Sequence, residues 1–267
     1  MSRSQFPRAR EHRGISDRKA LSQNFLRDAH TARAFVDSAS VRPGDHVIEV
    51  GPGDGMVTRP LLERARRVTA YEKDRHFVER LRSRLGHHEH FACHQADFRD
   101  VAPPHRRFTV VANAPFGITT DIVRWCLRAP ALASASLITQ LEFARKHTGD
   151  YGRWSRLTVA HWPEFHFALG MRIDRREFRP VPQVDAGVLH IGRRSDPLLQ
   201  KAAVPDYRDL VDLGFSGLGG SLAASLCRVV PRRQAFDACA EAGIGRDQVV
   251  GHVPPDRWIA LFRALVR

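Results

Sequence analysis

The sequence predicts an α/β protein built on a mostly parallel, doubly wound sheet and followed by a small helical domain. Short apolar runs alternate with helix-length amphipathic segments through most of the 267-residue chain, an order typical of a parallel sheet with helices on both faces. After about residue 196 the pattern changes, and the remaining segments are helical only. A chain of this length can bury one substantial core and a small appendage.

The elements follow one another in a regular order. Helical periodicity covers 29–39, 75–85 and 120–127, and strands are predicted at 46–50, 68–72, 90–95, 108–112, 135–140 and 184–191. Helices at 207–215, 222–229, 234–242 and 255–266 are separated by glycine and proline. We therefore assign residues 1–20 to a basic N-terminal arm, 21–195 to a domain that contains the sheet, and 196–267 to a small helical domain.

The segment Asn113-Ala114-Pro115-Phe116 closes the apolar strand at 108–112 and is the most informative feature of the chain. Pro115 has no N–H and pushes Ala114 toward an extended conformation, so the loop presents carbonyl acceptors and few donors. Asn113 adds an amide oxygen, and Phe116 adds a flat ring on which a planar base can stack. The segment favours a site for an exocyclic amine, although an ordinary strand-end turn uses the same residue types.

A glycine-rich loop, 51–55, follows the strand at 46–50 and precedes a helix-like segment at 56–64. Its alternate glycines allow a tight turn whose bare backbone can approach a cofactor, although a plain turn would use them too. Glu72 ends the next strand about 20 residues later, where an acidic side chain can accept both hydroxyls of a ribose. The dinucleotide fingerprint would need glycine in place of Met56, so nicotinamide binding is disfavoured.

A third polar strand end contains Asp97 and Phe98. Asp97 could accept a hydrogen bond from an adenine amine while Phe98 packs on the ring; alternatively, Asp97 or Asp100 caps a helix beside a core Phe. The glycine loop, Glu72, Asp97 and Asn113 are separated by helix-length segments. A parallel sheet would therefore bring all four to the single edge where open α/β sheets bind ligands.

Together these segments resemble the Erm group of rRNA adenine N6-methyltransferases, which are related to the small-subunit rRNA dimethyladenosine transferases. The resemblance covers nearly the whole chain from Leu21, and its middle blocks are most similar to actinobacterial macrolide-resistance enzymes. One departure is Ala114, where the family usually has Ile or Leu, but a backbone carbonyl survives that change. The matching segments are 23–26, 49–55, 72, 97–98, 113–116, 141–146, 148–154 and 178–185.

The resemblance implies a Rossmann-like class I methyltransferase fold, an antiparallel strand at 184–191, and S-adenosyl-L-methionine as the cofactor. The methionine part would lie near the glycine loop, Glu72 would hold the ribose, and Asp97 would hold the adenine amine with Phe98 alongside. The implied cofactor-binding residues are Asn24, Leu26, Gly51, Gly53, Gly55, Glu72, Asp97, Phe98 and Asn113. The implied catalytic residues are Asn113, Ala114, Pro115 and Phe116.

The implied mechanism depends on alignment. The target adenine would be flipped out of the RNA and would stack on Phe116. Its N6 lone pair is delocalised into the ring, so acceptors on Asn113 and on the Ala114 or Pro115 carbonyl would hold the N6 hydrogens and turn the lone pair toward the methyl group. Such positioning suits an in-line displacement. No general base is required beforehand, because the nitrogen becomes acidic only once the methyl group has arrived.

The composition agrees with an RNA partner. The chain has 42 Lys plus Arg against 29 Asp plus Glu, a formal charge of +13, which favours polyanions, although a merely basic surface gives the same count. The arm at 1–20 is basic and nearly free of apolar residues, so we expect a flexible segment that touches phosphates or has no role. It lacks the apolar core of a secretion signal, and no apolar run reaches membrane-spanning length. We expect a cytoplasmic monomer.

The cysteines and histidines do not indicate a metal site. Cys93, Cys126, Cys227 and Cys239 are widely spaced without a CxxC pair, which argues against a zinc ribbon and a disulfide framework. The histidine-rich segment 87–94 matches no known ligand spacing, so we expect a solvated loop there and no bound metal.

A different segment, 149–156, mixes glycine, aromatics and arginine. It fits either a loop that contacts splayed RNA, through Arg153 and Arg156, or a packed helix entrance.

We therefore predict S-adenosylmethionine-dependent methylation of N6 of a specific adenosine in 23S rRNA. Residues 21–195 would form the cofactor-binding catalytic domain, and the helical domain at 196–267 would either cover one end of the sheet or help to position RNA. The resemblance places this adenosine in the peptidyl-transferase region, where the product confers resistance to macrolides, lincosamides and type B streptogramins. Two alternatives remain within RNA biology: a small-subunit (16S) rRNA adenine dimethyltransferase in ribosome assembly, and a non-catalytic RNA-binding assembly factor. A nicotinamide dehydrogenase is a third. Transfer of one or of two methyl groups is compatible with the sequence.

Overall fold

The computed structural model describes residues 24–217 and 220–266, so the predicted N-terminal arm and Gln23 lie outside the described residues. Nine strands occur in this part of the chain. They are β1 (Phe25–Leu26), β2 (His46–Val50), β3 (Arg67–Glu72), β4 (Phe91–Gln95), β5 (Phe108–Asn113), β6 (Leu132–Gln140), β7 (Phe165–Ile173), β8 (Phe178–Arg179) and β9 (Ala186–Arg193).

Ten α-helices accompany these strands in the described ranges. They are α1 (Ala29–Ser38), α2 (Thr58–Leu62), α3 (Arg75–Leu85), α4 (Thr119–Arg128), α5 (Leu141–Thr148), α6 (Arg156–His161), α7 (Val204–Gly214), α8 (Leu222–Leu226), α9 (Arg232–Glu241) and α10 (Pro255–Leu265). None of the helices within 24–217 and 220–266 is long and apolar enough to cross a membrane.

The main sheet has the strand order β4-β3-β2-β5-β6-β9-β7, and β1 pairs with β8 in a separate two-stranded sheet. Strands β2 to β6 are parallel to their neighbours, whereas β9 runs antiparallel to β6, as the resemblance implied. The predicted parallel sheet is thus confirmed. Because the chain proceeds outward from β2 to β4 and then returns to β5 on the other side of β2, the strand order reverses between β2 and β5. Open α/β sheets bind ligands at the carboxyl end of such a reversal.

Alternating side chains along the central strands build two separate cores, one on each face of the sheet. Val47 of β2 belongs to the core beneath α1, α2 and α3, while its neighbour Ile48 belongs to the core beneath α4. Strand β5 behaves in the same way, with Val111 on the first face and Val110 on the second. This arrangement is the doubly wound architecture that the sequence predicts.

The edge strand β7 was not predicted. Only its first half alternates between buried and exposed residues, and Ala168 and Leu169 are both exposed. Its pairing with β9 is shifted between Leu169 and Arg172, so an irregularity interrupts the strand. A bulge of this kind erases the period of two on which recognition of a strand from sequence depends.

The C-terminal helices share a third core, centred on Trp258 and Tyr207. This core also contains Val159 and Ala160 of α6, and the Tyr207 hydroxyl donates to the Val159 carbonyl at 3.0 Å. The four predicted C-terminal helices are present as α7 to α10. The helical segment is therefore packed on α6, and the domain boundary at residue 196 stays a prediction.

Candidate active site

A cleft of about 270 Å³ lies at the carboxyl ends of β2, β3, β4 and β5, where the strand order reverses. Every polar strand end that the sequence predicts for this edge contributes to it. The cleft is lined by Asn24, Phe25, Val50, Gly51, Gly53, Tyr71, Glu72, Lys73, Ala96, Asp97, Phe98, Arg99, Asn113, Ala114, Pro115, Gly117 and Ile118.

The glycine loop is held against β3 by the carboxylate of Glu72. Gly53 has φ +56°, and a β-carbon there would lie 2.5 Å from Cε1 of Phe25, so the position admits no other residue without displacing that ring. The Gly53 N–H donates to Oε2 of Glu72 at 3.1 Å, and the Asp74 N–H donates to Oε1 at 2.9 Å. Each oxygen of a carboxylate can accept about two hydrogen bonds, so Glu72 retains acceptor capacity for a ligand.

Burial controls the protonation of two carboxyl groups near this loop. Desolvation raises the pKa of Glu72, and the backbone N–H groups of Asp74 and Gly53 oppose that shift. Desolvation also raises the pKa of the fully buried Glu49 to about 8, and the negative charges of Glu72 and Asp54 add to the effect. Oε2 of Glu49 has no hydrogen-bond partner within the described residues. The carboxyl group of Glu49 is therefore neutral at pH 7, and it lies near the carboxyl group of Glu72, which lines the cleft.

Asp97 forms the wall of the cleft at the end of β4, and its carboxylate is already fully used. Its Oδ1 accepts from the backbone N–H and from Nε of Arg99, at 3.1 and 3.0 Å. Its Oδ2 accepts from Nη2 of Arg99 at 2.6 Å and from Nζ of Lys73 at 3.1 Å. The Arg99 side chain, followed by the other donors, holds the pKa of Asp97 well below its usual range. Asp97 thus caps the turn that begins at Phe98, which is the alternative role considered above.

Phe98 supplies an apolar surface to the same wall. It is buried, with its ring centroid 4.7 Å from that of Trp125 and 6.0 Å from that of Tyr71. The Trp125 indole is fixed in turn by donating to the Val101 carbonyl at 2.6 Å. Tyr71 and Phe98 therefore form a firmly packed aromatic floor beside the carboxylate of Asp97.

The orientation of Asn113 is set by the backbone of Asn24. Nδ2 of Asn113 donates to the Asn24 carbonyl at 2.7 Å. A carbonyl can only accept, so the amide group must turn its NH₂ toward Asn24. Oδ1 of Asn113 is consequently left as an acceptor at the cleft.

The carbonyl groups that follow Asn113 differ in availability. The Pro115 carbonyl accepts from the Ile118 N–H at 3.0 Å and from the Thr119 hydroxyl at 3.2 Å, so both of its lone pairs are used. No donor contacts the Ala114 carbonyl anywhere in the described part of the chain. Of the two carbonyls considered from sequence, that of Ala114 is the available one.

Three predicted site residues do not line the cleft. Leu26 is buried in the core on the first face of the sheet. A β-carbon at Gly55 would lie 2.9 Å from Cδ2 of Leu81, so this glycine serves the packing of the loop onto α3. Phe116 begins the turn that precedes α4, beside the cleft, and is only partly buried. The proposed contacts of these residues with ligands stay predictions.

Tyr71, Lys73 and Arg99 also line the cleft and were not predicted from sequence. Each is adjacent in the sequence to a predicted site residue, Glu72 or Phe98, and that proximity is the only signal that could have identified them. The four cysteines are free. No cluster of His, Cys, Asp or Glu within 24–217 and 220–266 is arranged to hold a metal ion.

Comparison with known proteins agrees with this geometry. The family described as ribosomal RNA adenine dimethylase matches residues 14–266. An rRNA adenine N-6-methyltransferase from Saccharopolyspora erythraea is 47% identical over 249 residues, which cover 93% of this chain and 65% of the relative. An rRNA methyltransferase from Streptomyces thermotolerans is 49% identical over 248 residues, with 93% and 83% covered. The chain thus spans less than two thirds of the Saccharopolyspora relative.

The crystal structure of the 23S rRNA methyltransferase ErmE superposes with a TM-score of 0.87 at 47% identity. The superposition covers 91% of this chain and 100% of that chain, which confirms the predicted class I methyltransferase fold. The family match extends over nearly the whole sequence, and the similarity to Erm proteins is high in both sequence and structure. The chain therefore belongs to the ribosomal RNA adenine dimethylase family and, within it, to the Erm group of rRNA adenine N6-methyltransferases.

Proposed function

We propose that this protein methylates N6 of a specific adenosine in the peptidyl-transferase region of 23S rRNA, with S-adenosylmethionine as the methyl donor. The modification would confer resistance to macrolide, lincosamide and type B streptogramin antibiotics. The observation that carries the proposal is the pair of available acceptors, Oδ1 of Asn113 and the Ala114 carbonyl, on two consecutive residues that line the cleft. Two neighbouring acceptors match the two hydrogens of an exocyclic amine.

The residues of the cleft fit S-adenosylmethionine. Gly53 offers bare backbone where a β-carbon would collide with Phe25, and Glu72 retains acceptor capacity for the ribose hydroxyls. Tyr71 and Phe98 offer an aromatic floor for the adenine ring. When bound, the cofactor supplies a methyl group made electrophilic by its sulfonium. Asp97 can accept the adenine amine only after Arg99 or Lys73 releases one of its oxygens.

The chain's own part in the reaction is to hold the target nitrogen. Oδ1 of Asn113 and the Ala114 carbonyl accept the two N6 hydrogens, which draws the amine out of the plane of the ring and turns its lone pair into the cleft. The Asn24 carbonyl keeps the Asn113 amide from rotating. In well-oriented systems, positioning of this kind lowers the activation free energy by about 7 kcal/mol or more. The extra proton leaves the nitrogen after transfer, so no residue has to act as a base before it.

The substrate is tested with naked 23S and 16S rRNA transcripts in separate reactions, followed by mass spectrometry of the digested RNA. The expected result is methylated adenosine at a single site of the 23S transcript, with the number of methyl groups read from the same spectrum. Methylation confined to the 16S transcript would replace the proposed substrate by the small-subunit one. RNA binding without any methylation would indicate an assembly factor.

The role of Asn113 is tested by Asn113→Ala. Loss of an acceptor that acts on the reacting group is expected to lower the methylation rate about 100-fold, by analogy with the removal of one transition-state hydrogen bond. Affinity for S-adenosylmethionine should change only slightly. Gln140→Ala is the matched control, because Gln140 is an exposed amide at the end of neighbouring β6 and does not line the cleft. Equal turnover of wild type and Asn113→Ala would refute the role of Asn113.

A further inference from the structure

Tyr151 combines two features that rarely occur together. Its side chain is 73% exposed, and its backbone lies in the left-handed region at φ 58° and ψ 23°. Residues with a β-carbon avoid this conformation unless the surroundings impose it, and glycine or asparagine is the usual choice. Burial of the ring does not offset the strain, because most of the ring faces solvent. Strained residues of this kind are concentrated at functional sites.

The loop that presents Tyr151 is fixed on both sides. Its backbone N–H donates to Oδ1 of Asp150 at 3.0 Å, and Asp150 is paired with Arg145 of α5 at 3.0 Å. The Arg145 guanidinium also lies 5.2 Å from the centre of the Tyr151 ring. On the other side, the Trp154 N–H donates to the Gly251 carbonyl at 2.8 Å, which ties the loop to the C-terminal helical segment. The ring is therefore held in a defined position although it is exposed.

A cavity of about 520 Å³ opens beside this ring. Lys146 and Arg153 are exposed on its rim, and neither forms an ion pair within the described residues. The two carboxylates of the cavity, Glu142 and Asp150, both pair with Arg145 instead. The cavity thus has three cations against two carboxylates, a net charge of +1, and it presents two cationic side chains without an ion pair in the described part of the chain next to an exposed aromatic ring.

The position of the cavity relates it to the catalytic edge. Helix α5 begins immediately after β6, whose end pairs with the end of β5 at Asn113. The eight residues of α5 span about 12 Å. A single strand of RNA that placed one nucleotide in the cleft could therefore extend along α5 and bring another of its nucleotides to Tyr151.

We propose that this cavity is a second nucleotide-binding site, in which Tyr151 stacks on an unpaired base near the target adenosine while Lys146 and Arg153 contact the adjacent phosphates. The inference rests on the proposed function, because it identifies a further part of the same RNA substrate. An aromatic ring with flanking cations is the arrangement by which proteins bind single-stranded nucleic acid. Arg156 has no part in the site, since it is paired with Asp212 of α7 at 2.9 Å.

The test compares the full-length variants Tyr151→Asn and Tyr151→Phe with wild type on the same rRNA fragment. Asparagine tolerates the left-handed backbone, so Tyr151→Asn removes the ring without disturbing the loop. Loss of one stacked base should raise KM for the RNA roughly five- to hundredfold, while kcat and the Kd of S-adenosylmethionine stay unchanged. Tyr151→Phe should behave as wild type. An unchanged KM for Tyr151→Asn, or a KM for Tyr151→Phe as high as that of Tyr151→Asn, would overturn the proposal.

Abasic substitution identifies the stacked base. The unpaired nucleotides around the target are replaced one at a time by abasic residues, and Kd is measured by fluorescence anisotropy. At one position the abasic RNA should bind wild type as weakly as intact RNA binds Tyr151→Asn, and combining the two changes should cause no further loss. Additive losses at every position would mean that the ring does not stack on a base. Because Kd is measured without methyl transfer, failure of the two proposals can be told apart: RNA that binds but is not methylated contradicts the proposed function, whereas methylated RNA without the matched loss at one position contradicts the stacking.

The phosphate contacts are tested by the salt dependence of the same binding reaction. Lys146→Ala should lower the slope of log Kd against log salt concentration by about 0.7, which is the contribution of one phosphate contact on a single strand. Arg233→Ala is the matched control, because Arg233 is an exposed arginine of α9 on the helical segment. Equal slopes for wild type and Lys146→Ala would remove Lys146 from the site, and equal slopes for Arg153→Ala as well would overturn the phosphate contacts.

Discussion

Replacing Gly53 with alanine tests the cleft by geometry alone. The new methyl group would lie 2.5 Å from Cε1 and 2.9 Å from Cδ1 of Phe25, so the ring must move, and φ at this position is +56°. The left-handed backbone costs an alanine about 1–2 kcal/mol. Displacing a packed ring adds about 1–3 kcal/mol. Alanine also reduces the conformational entropy of the unfolded chain, which raises the free energy of unfolding by about 0.4–1 kcal/mol. The free energy of unfolding should therefore fall by about 1–5 kcal/mol.

Two other glycines separate these contributions. Gly152 has φ +67° with nothing within 4 Å of an added β-carbon, so Gly152→Ala carries the backbone cost without the collision. Gly44 lacks both the positive φ and the contact, so Gly44→Ala should leave stability unchanged or slightly raised. In urea denaturation, the free energy of unfolding should thus fall least for Gly44→Ala, more for Gly152→Ala and most for Gly53→Ala.

Cofactor binding distinguishes a site from a merely structural turn. Phe25 lines the cleft, and Gly53→Ala displaces its ring. The variant should therefore bind S-adenosylmethionine at least about tenfold more weakly than wild type, which corresponds to ~1.4 kcal/mol. Isothermal titration calorimetry of the three folded variants measures this directly, and Gly152→Ala and Gly44→Ala should bind as wild type does. A Gly53→Ala protein with wild-type affinity would refute the assignment of the glycine loop to the cofactor.

Two further predictions concern charged groups of the cleft. Arg99→Ala removes two side-chain donors from Asp97 and frees its oxygens to accept the adenine amine. Because an exposed ion pair is weak, calorimetry should show S-adenosylmethionine binding only about two- to fivefold tighter than in wild type. Weaker binding would contradict the role of Asp97. Since burial raises the pKa of Glu49 to about 8, the folded chain keeps a proton that the unfolded chain loses near pH 4.5. The free energy of unfolding should therefore fall as pH rises between these values, and Glu49→Gln should flatten that fall in urea denaturation.

The positions of the site residues could be predicted because they depend on strand order. The apolar runs that end at Val50, Glu72 and Asn113 are recognisable by length and composition, and parallel pairing places their ends at one edge. Glycines 53 and 55 were recognisable because only glycine fits positions of positive φ in close contact with other residues. Local sequence was sufficient wherever the position of a residue followed from its place on the sheet.

The partners of individual polar atoms could not be predicted in the same way. Asp97 was assigned to the adenine amine, but its four hydrogen bonds come from Arg99 and Lys73, whose conformations depend on tertiary structure. The choice between the Ala114 and Pro115 carbonyls likewise required the hydroxyl of Thr119. Tyr151 was one aromatic residue among several until its backbone conformation and exposure were known. Such details arise from side-chain packing, which a linear pattern of residue types does not encode.

The contact between Asn113 and Asn24 has a practical consequence for work on this enzyme. A main-chain oxygen, which is unchanged by any side-chain substitution, fixes the orientation of the Asn113 amide. Alanine scanning of position 24 would therefore report only the loss of its side chain. A truncation whose first residue, initiator methionine included, lies at position 25 or later would instead delete that oxygen without removing any residue of the main sheet. A fragment shortened to this point for crystallisation should thus keep the main sheet and still methylate slowly.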